Sequence, residues 1–135
     1  EKLNKVFIKV IKTRMPFVTL KTAMSLDGNI ATRKGDSLWI SGIKSRSFVH
    51  ELRSQHDAIL VGTNTIIQDN PLLTCRLKKK GIAHPTRIVL DRRNRIPLKA
   101  KVFANGNAQR VIYVSGPGLS VKREKSLIKK NIPTG

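Results

Sequence analysis

The chain has 135 residues, the length of one domain, and its 39% hydrophobic and 26% charged content excludes a disordered linker. A single cysteine, Cys75, rules out an internal disulfide, three scattered histidines offer no zinc-binding spacing, and no apolar run approaches the roughly 18–20 residues that span a bilayer, so neither metal nor membrane is expected and a reducing, cytoplasmic setting is. The net charge of +19 would suit a polyanion such as nucleic acid, but lysines spread along both terminal helices and Lys78–Lys80 read mostly as a solvated face.

Leu3, Val6, Phe7, Val10 and Ile11 recur at helical spacing with lysines between them, which predicts an amphipathic helix ending before Pro16. Phe17, Val18, Leu20 and Ala23 predict a strand, turned by Ser25-Leu26-Asp27-Gly28. Ser41 is the expected cap of a helix running through Val49, Leu52 and Arg53, and Ala58-Ile59-Leu60-Val61 reads as a buried strand. Thr63-Asn64-Thr65 opens a short helix that Pro71 closes. Ile88-Val89-Leu90 and Val111-Ile112-Tyr113-Val114 follow as two further buried strands, running into loops at Asp91 and Gly116, and a lysine-rich helix comes last. Strands alternating with helices predict an α/β domain with a mainly parallel sheet. Glu1 in place of an initiator Met, and an end at Gly135 just after an apparent helix, read as the ends of a fragment.

Open α/β sheets bind ligands beyond the carboxyl ends of their strands, so the segments after Ala23, Val61, Leu90 and Val114 are the places to search. Gly62-Thr63-Asn64-Thr65 offers close backbone approach, hydroxyls and free N–H groups suited to a phosphate, and equally fits a plain strand-to-helix turn. Arg53 and Arg76 flank this turn, and guanidinium groups bind phosphate bidentately; taken singly, each reads first as a surface arginine. Asp69 before Asn70-Pro71 is a turn carboxylate or a ribose acceptor, and Trp39 fills the core or stacks on a flat ring. His50, His56 and His84 lack the neighbours of a triad and read as structural, as does Cys75.

Six ordered segments taken together carry a more specific signal: Pro16-Phe17-Val18-Thr19-Leu20-Lys21, Ser25-Leu26-Asp27-Gly28, Gly35-Asp36-Ser37-Leu38-Trp39-Ile40-Ser41, Asp57-Ala58-Ile59-Leu60-Val61-Gly62, Thr65, and Asp69-Asn70-Pro71-Leu72-Leu73-Thr74-Cys75-Arg76. From Pro16 to about Val114, including Arg87-Ile88-Val89-Leu90-Asp91, the chain resembles the reductase domain of the bifunctional riboflavin-biosynthesis deaminase/reductase. The resemblance implies a dihydrofolate-reductase-like α/β fold with a mainly parallel sheet flanked by helices, its C-terminal part missing from this chain. It implies NADPH-dependent reduction of the ribosyl group of 5-amino-6-(5-phosphoribosylamino)uracil to the ribityl group. By matching position, Lys21 would stand near the reacting centre; Ala23, Trp39, Thr65, Asp69 and Arg92 would contact NADPH; Ser37, Arg53, Leu73 and Arg76 would contact the phosphorylated pyrimidine. No metal is implied. The family continues into a glycine-rich cofactor segment and an active-site glutamate beyond what is present here, and carries a zinc-dependent deaminase in front. Residues 1–15 are therefore expected to be the linker from that deaminase, residues 16–135 the N-terminal portion of the reductase, and the assembly a homo-oligomer.

Two other readings stand beside this one. A basic nucleic-acid-binding module is supported by the charge, but aromatics are only 4% of residues and do not interleave with the basic clusters, so no stacking platform is available and no specific nucleic acid is expected. Another reductase of the same fold is the second, since a fold never fixes a substrate.

Overall fold

A computed structural model of the chain describes residues 4–36, 40–77, 84–104 and 110–135. Ser37 and Trp39, Leu3 of the first helix and the Lys78–Lys80 run lie outside the described residues. The chain divides into two units, Glu1–Ser41 and Gly42–Gly135.

In the first unit, helix α1 spans Lys5–Thr13 and ends where Arg14 turns left-handed, its N–H donating to the Val10 carbonyl. The helix thus stops before Pro16, as the periodicity predicts. Lys5 Nζ stands 5.3 Å from the centre of the Phe17 ring, a cation–π contact between the helix and the segment that follows it. The strand expected over Phe17–Ala23 does not form: residues 16–25 take no regular secondary structure. Apolar residues specify only one side of what a strand needs; a ladder also needs a neighbouring backbone, and none is paired with this stretch among the described residues. The turn at Ser25–Asn29 is built as expected, with Gly28 at φ +81°, the Ser25 hydroxyl 2.5 Å from Asp27 Oδ1, and the Asn29 amide donating to Asp27 Oδ2 at 2.7 Å.

In the second unit, α2 spans Ile43–Gln55, β1 Ala58–Gly62, α3 Thr63–Asp69, β2 Thr86–Asp91, β3 Val111–Ser115 and α4 Val121–Ile128, with a 3-10 turn at Lys101–Phe103. Gly42, and not Ser41, occupies the cap position of α2. Helix α3 opens at Gly62 and closes at Asn70, whose left-handed backbone (φ +41°) lets its N–H reach the Ile66 carbonyl; Pro71 follows. The three strands form one parallel sheet in the order β1-β2-β3, and residues 133–135 run beside β3 through bonds between the Tyr113 and Ser115 backbone and Pro133 and Gly135.

Register places Ile59, Arg87 and Val111 abreast, then Val61, Val89 and Tyr113, on one face. That face is the core: Ile66 of α3, Ile96, Ala100, Val102 and Phe103 of the β2–β3 connection, Leu127 of α4 and Ile132 close over it. The opposite face carries Leu60, Ile88, Leu90 and Ile112, of which Leu60 is 58% exposed, Leu90 39% and Ile112 37%. The strands expected to be buried are therefore buried on one face only, and β1, paired on one side, has no fully buried residue.

Candidate functional site

Two cavities open beside the ends of these elements in the Gly42–Gly135 unit. One, of about 310 Å³, is lined by Gly62, Thr63, Asn64, Thr65 and Arg95. The other, of about 300 Å³, is lined by Arg53, Asp69, Asn70, Pro71, Leu72, Leu73, Thr74, Arg76 and Lys101. Four residues singled out by the sequence, Arg53, Asp69, Leu73 and Arg76, thus meet around one recess, and Thr65 lines the other. Arg92 is exposed in the turn after β2 and lines neither. In the Glu1–Ser41 unit, Lys21 is exposed and Ala23 half-buried, both in the stretch without regular structure.

The second recess is held by side chains that grip the backbone from Leu72 to Arg76. Arg87, almost wholly buried on β2, donates from Nη1 to the carbonyls of Leu72 (3.3 Å) and Val102 (3.0 Å). Arg53, in the last turn of α2, donates from Nη1 to the Thr74 carbonyl at 3.2 Å. The backbone N–H groups of Cys75 and Arg76 donate to Nδ1 of His84 and His50, each at 3.2 Å, and the buried Cys75 thiol donates to the His50 carbonyl at 3.2 Å. Within this grip Leu73 adopts φ +56°, a left-handed conformation that costs a branched side chain of this size about 1–3 kcal/mol. Its side chain joins the core and anchors the segment there.

Charge in this recess is unbalanced. Burial first, and then the neighbouring Arg76 cation, lowers the pKa of Arg53, against a smaller opposing influence from Cys75. Among the described residues the buried Arg53 Nε–H has no hydrogen-bond partner. Burial, followed by the charges of Arg53 and Arg76, also lowers the pKa of His50. Two guanidinium groups that repel one another, one with an unanswered buried donor, form a receptor for an anion: a phosphate or carboxylate oxygen would satisfy the donor and cancel the repulsion.

The first recess rests on a different construction. Asp91, the last residue of β2, is completely buried, and its carboxylate collects the Ile96 N–H (2.7 Å) and the Tyr113 hydroxyl (2.8 Å), with the Thr63 hydroxyl sharing its proton between Asp91 Oδ1 and the Leu90 carbonyl, each 3.0 Å away. Arg123 of α4 lies 3.6 Å from the same carboxylate, stacks on the Tyr113 ring and donates to the Ile96 carbonyl. Burial alone would raise the Asp91 pKa, but these donors, the backbone N–H of Ile96 foremost, hold it below its ordinary value. Tyr113, buried and bonded to Asp91, is pushed up to about 12. Thr63 is thereby fixed at the head of α3, and Arg95 is drawn across to Asn64 Oδ1 at 3.2 Å.

Sequence reasoning missed Asp91, Arg95, Lys101, His50 and His84 as parts of these sites. Asp91 carried one available signal, an acid ending an apolar strand run. The others act through bonds to residues distant in sequence, and their local surroundings carry no mark of it.

Residues 16–128 match the family described as the RibD C-terminal domain. The chain is 41% identical over 127 residues to the riboflavin biosynthesis protein RibD of Bacillus amyloliquefaciens, a match covering 94% of this chain and 34% of that protein. With the chloroplastic riboflavin biosynthesis protein PYRR of Arabidopsis thaliana it shares 40% identity over 121 residues, 89% of this chain and 20% of the relative. Among solved structures, Acinetobacter baumannii RibD is similar with a TM-score of 0.84 at 35% identity, over 99% of this chain and 36% of that one. A Thermotoga maritima structure described as a diaminohydroxyphosphoribosylaminopyrimidine deaminase/5-amino-6-(5-phosphoribosylamino)uracil reductase has a TM-score of 0.79 at 37% identity, with the same coverage. The chain spans about a third of the length of these bacterial relatives and adopts the dihydrofolate-reductase-like α/β fold of the two structures.

Proposed function

Because the chain belongs to the family of RibD C-terminal domains, we propose that it is a nicotinamide-dependent reductase module of riboflavin biosynthesis that reduces the ribosyl group of 5-amino-6-(5-phosphoribosylamino)uracil to the ribityl group with NADPH. The observation that carries this reading is the recess of Arg53 and Arg76, two mutually repelling cations with an unanswered buried Nε–H, suited to the substrate's phosphate. Bound NADPH supplies the hydride for C1′ of the opened sugar. The chain's residues bind, orient and shield the reactants.

In this reading Arg53 and Arg76 hold the phosphate, with Leu73 and Ser37 completing the substrate contacts. Thr65 and Asp69, together with Ala23, Trp39 and Arg92, contact the cofactor. The recess at Gly62–Thr65 fits a phosphate of the cofactor because Arg95 lines it and the Asp91 network holds its hydroxyl-bearing head in place. Lys21 stands at the reacting centre, where its ammonium group is suited to deliver the proton that the substrate's amine nitrogen takes up as C1′ of the ring-opened imine receives hydride. Residues 1–15 serve as the linker from a preceding deaminase domain and residues 16–135 as the N-terminal portion of the reductase, acting in the cytoplasm as a homo-oligomer.

Calorimetric titration of the chain with ribose 5-phosphate and with NADPH tests the assignment. Arg53→Ala and Arg76→Ala are each expected to weaken ribose 5-phosphate about tenfold or more, the loss of a charge-assisted bond worth roughly 1.5–3 kcal/mol, while NADPH affinity changes little. Thr65→Ala is expected to show the reverse bias. Equal losses for both ligands in the arginine variants would remove the phosphate assignment.

A further inference from the structure

The grip on residues 75–76 depends on an imidazole. His50 accepts the Arg76 N–H at Nδ1 over 3.2 Å, so the ring is neutral there and carries its proton on Nε2. The same residue's carbonyl receives the Cys75 thiol, so His50 is tied to two consecutive residues of the segment. Resting on the reading of the Arg53–Arg76 recess as an anion site, we propose that His50 is a positioning residue for it: by accepting the Arg76 amide hydrogen, the neutral imidazole fixes where the Arg76 guanidinium is presented, and protonation releases it.

The groups facing the imidazole support this assignment. Burial first, and then the cations Arg53 on its own helix and Arg76 on the gripped segment, lower the pKa of His50 below its ordinary value of 6.5. The remaining titratable neighbours on that segment are the Cys75 thiol, bonded to the His50 carbonyl, and His84, which accepts the adjacent Cys75 amide. Once Nδ1 is protonated, it and the Arg76 N–H are two donors pointing at one another, and the bond is lost. A histidine that merely fills space would leave the Arg76 amide indifferent to its charge. One acting as a direct cationic ligand would bind anions more tightly as pH falls, whereas a positioning acceptor makes them bind more weakly.

Inorganic sulfate is the probe, because its charge does not change across the range in which histidine titrates. Titrated into the chain at about pH 7.5 and about pH 5.5, it is expected to lose roughly three- to tenfold in affinity on acidification. His50→Ala should bind weakly at both pH values. His50→Asn, whose Oδ1 takes the place of Nδ1 and accepts the same hydrogen without titrating, should bind as the wild type does at the higher pH and keep that affinity at the lower one. In parallel, the Arg76 amide resonance should shift with a midpoint below 6.5 in the wild type and stay flat in His50→Asn. An affinity that rises on acidification, an asparagine variant that behaves like the alanine variant, or an Arg76 amide insensitive to pH would each overturn the positioning role. A responsive Arg76 amide with no sulfate binding would instead confirm that His50 places Arg76 and overturn the anion site itself.

Discussion

Asp91 and Arg53 are both charged side chains drawn away from water in the Gly42–Gly135 unit, and their surroundings answer them in opposite ways. Around Asp91 a backbone N–H, two hydroxyls and the Arg123 cation converge on one carboxylate. Around Arg53 there is one carbonyl, a second cation and an unpartnered Nε–H. A buried charge that is fully answered serves the fold; one left partly unanswered beside a cavity is suited to a ligand. The contrast explains how one unit contains both a rigid loop scaffold and a receptive recess within a few turns of chain.

The largest effect expected from breaking this contrast is at Asp91. Asp91→Ala leaves Arg123, Tyr113 and the Ile96 amide without their acceptor, and a loss of about 3–5 kcal/mol in urea unfolding is expected. The wild type should show the matching acid dependence. The folded Asp91 binds its proton less readily than the unfolded chain, so its contribution is complete above its ordinary value of 3.8 and is lost as pH falls through the lower folded value. A variant unfolding within about 1 kcal/mol of the wild type would show that the network is not holding the scaffold.

Gly116→Ala comes next. A Cβ at Gly116 would lie 2.2 Å from the Arg92 carbonyl oxygen, and because the obstacle is backbone, the turn after β2 has to shift. About 1–3 kcal/mol of destabilisation is expected, together with movement of the Arg92 and Arg95 amide signals in a heteronuclear spectrum. The smallest change in stability should come from Arg53→Met, which removes the unanswered donor and the repulsion with Arg76. Its melting should stay within about 0.5 kcal/mol of the wild type, even though ribose 5-phosphate binding is lost. Melting that falls as steeply as in Asp91→Ala would place Arg53 among the structural charges.

How much of this was legible beforehand follows from the range of the forces involved. Helix α3 could be read because its ends are local: Gly62 opens it, and Asn70 closes it with a left-handed turn before Pro71. The β2 and β3 runs were legible as strands, but which face each would bury depends on register with a neighbour, and both turned out apolar and half-exposed on the second face. Phe17–Ala23 has strand composition, but among the described residues no strand pairs with it, and local pattern alone does not supply one. Arg53 and Arg76 stand out in the sequence as guanidinium groups flanking one turn, but the substrate contacts assigned to them come from resemblance to a known family, because nothing in either residue's neighbourhood announces the other. His50 and His84 read as structural, and each does hold a backbone amide; that the amides are those of Arg76 and Cys75 is a matter of tertiary contact that neither residue's local sequence announces.

The all-parallel sheet has a kinetic consequence. Ala58 must find Thr86, and Arg87 must find Val111, before any ladder bond rewards the search. Among the described residues no hairpin offers a cheap first step, and the entropy of closing each connection falls on the transition state. The Asp91 network, which joins the end of β2 to the head of α3, to β3 and to α4, is assembled only when all of those closures are complete. Its bonds therefore act mainly on the unfolding rate, and the module persists, once formed, for longer than its folding speed would suggest.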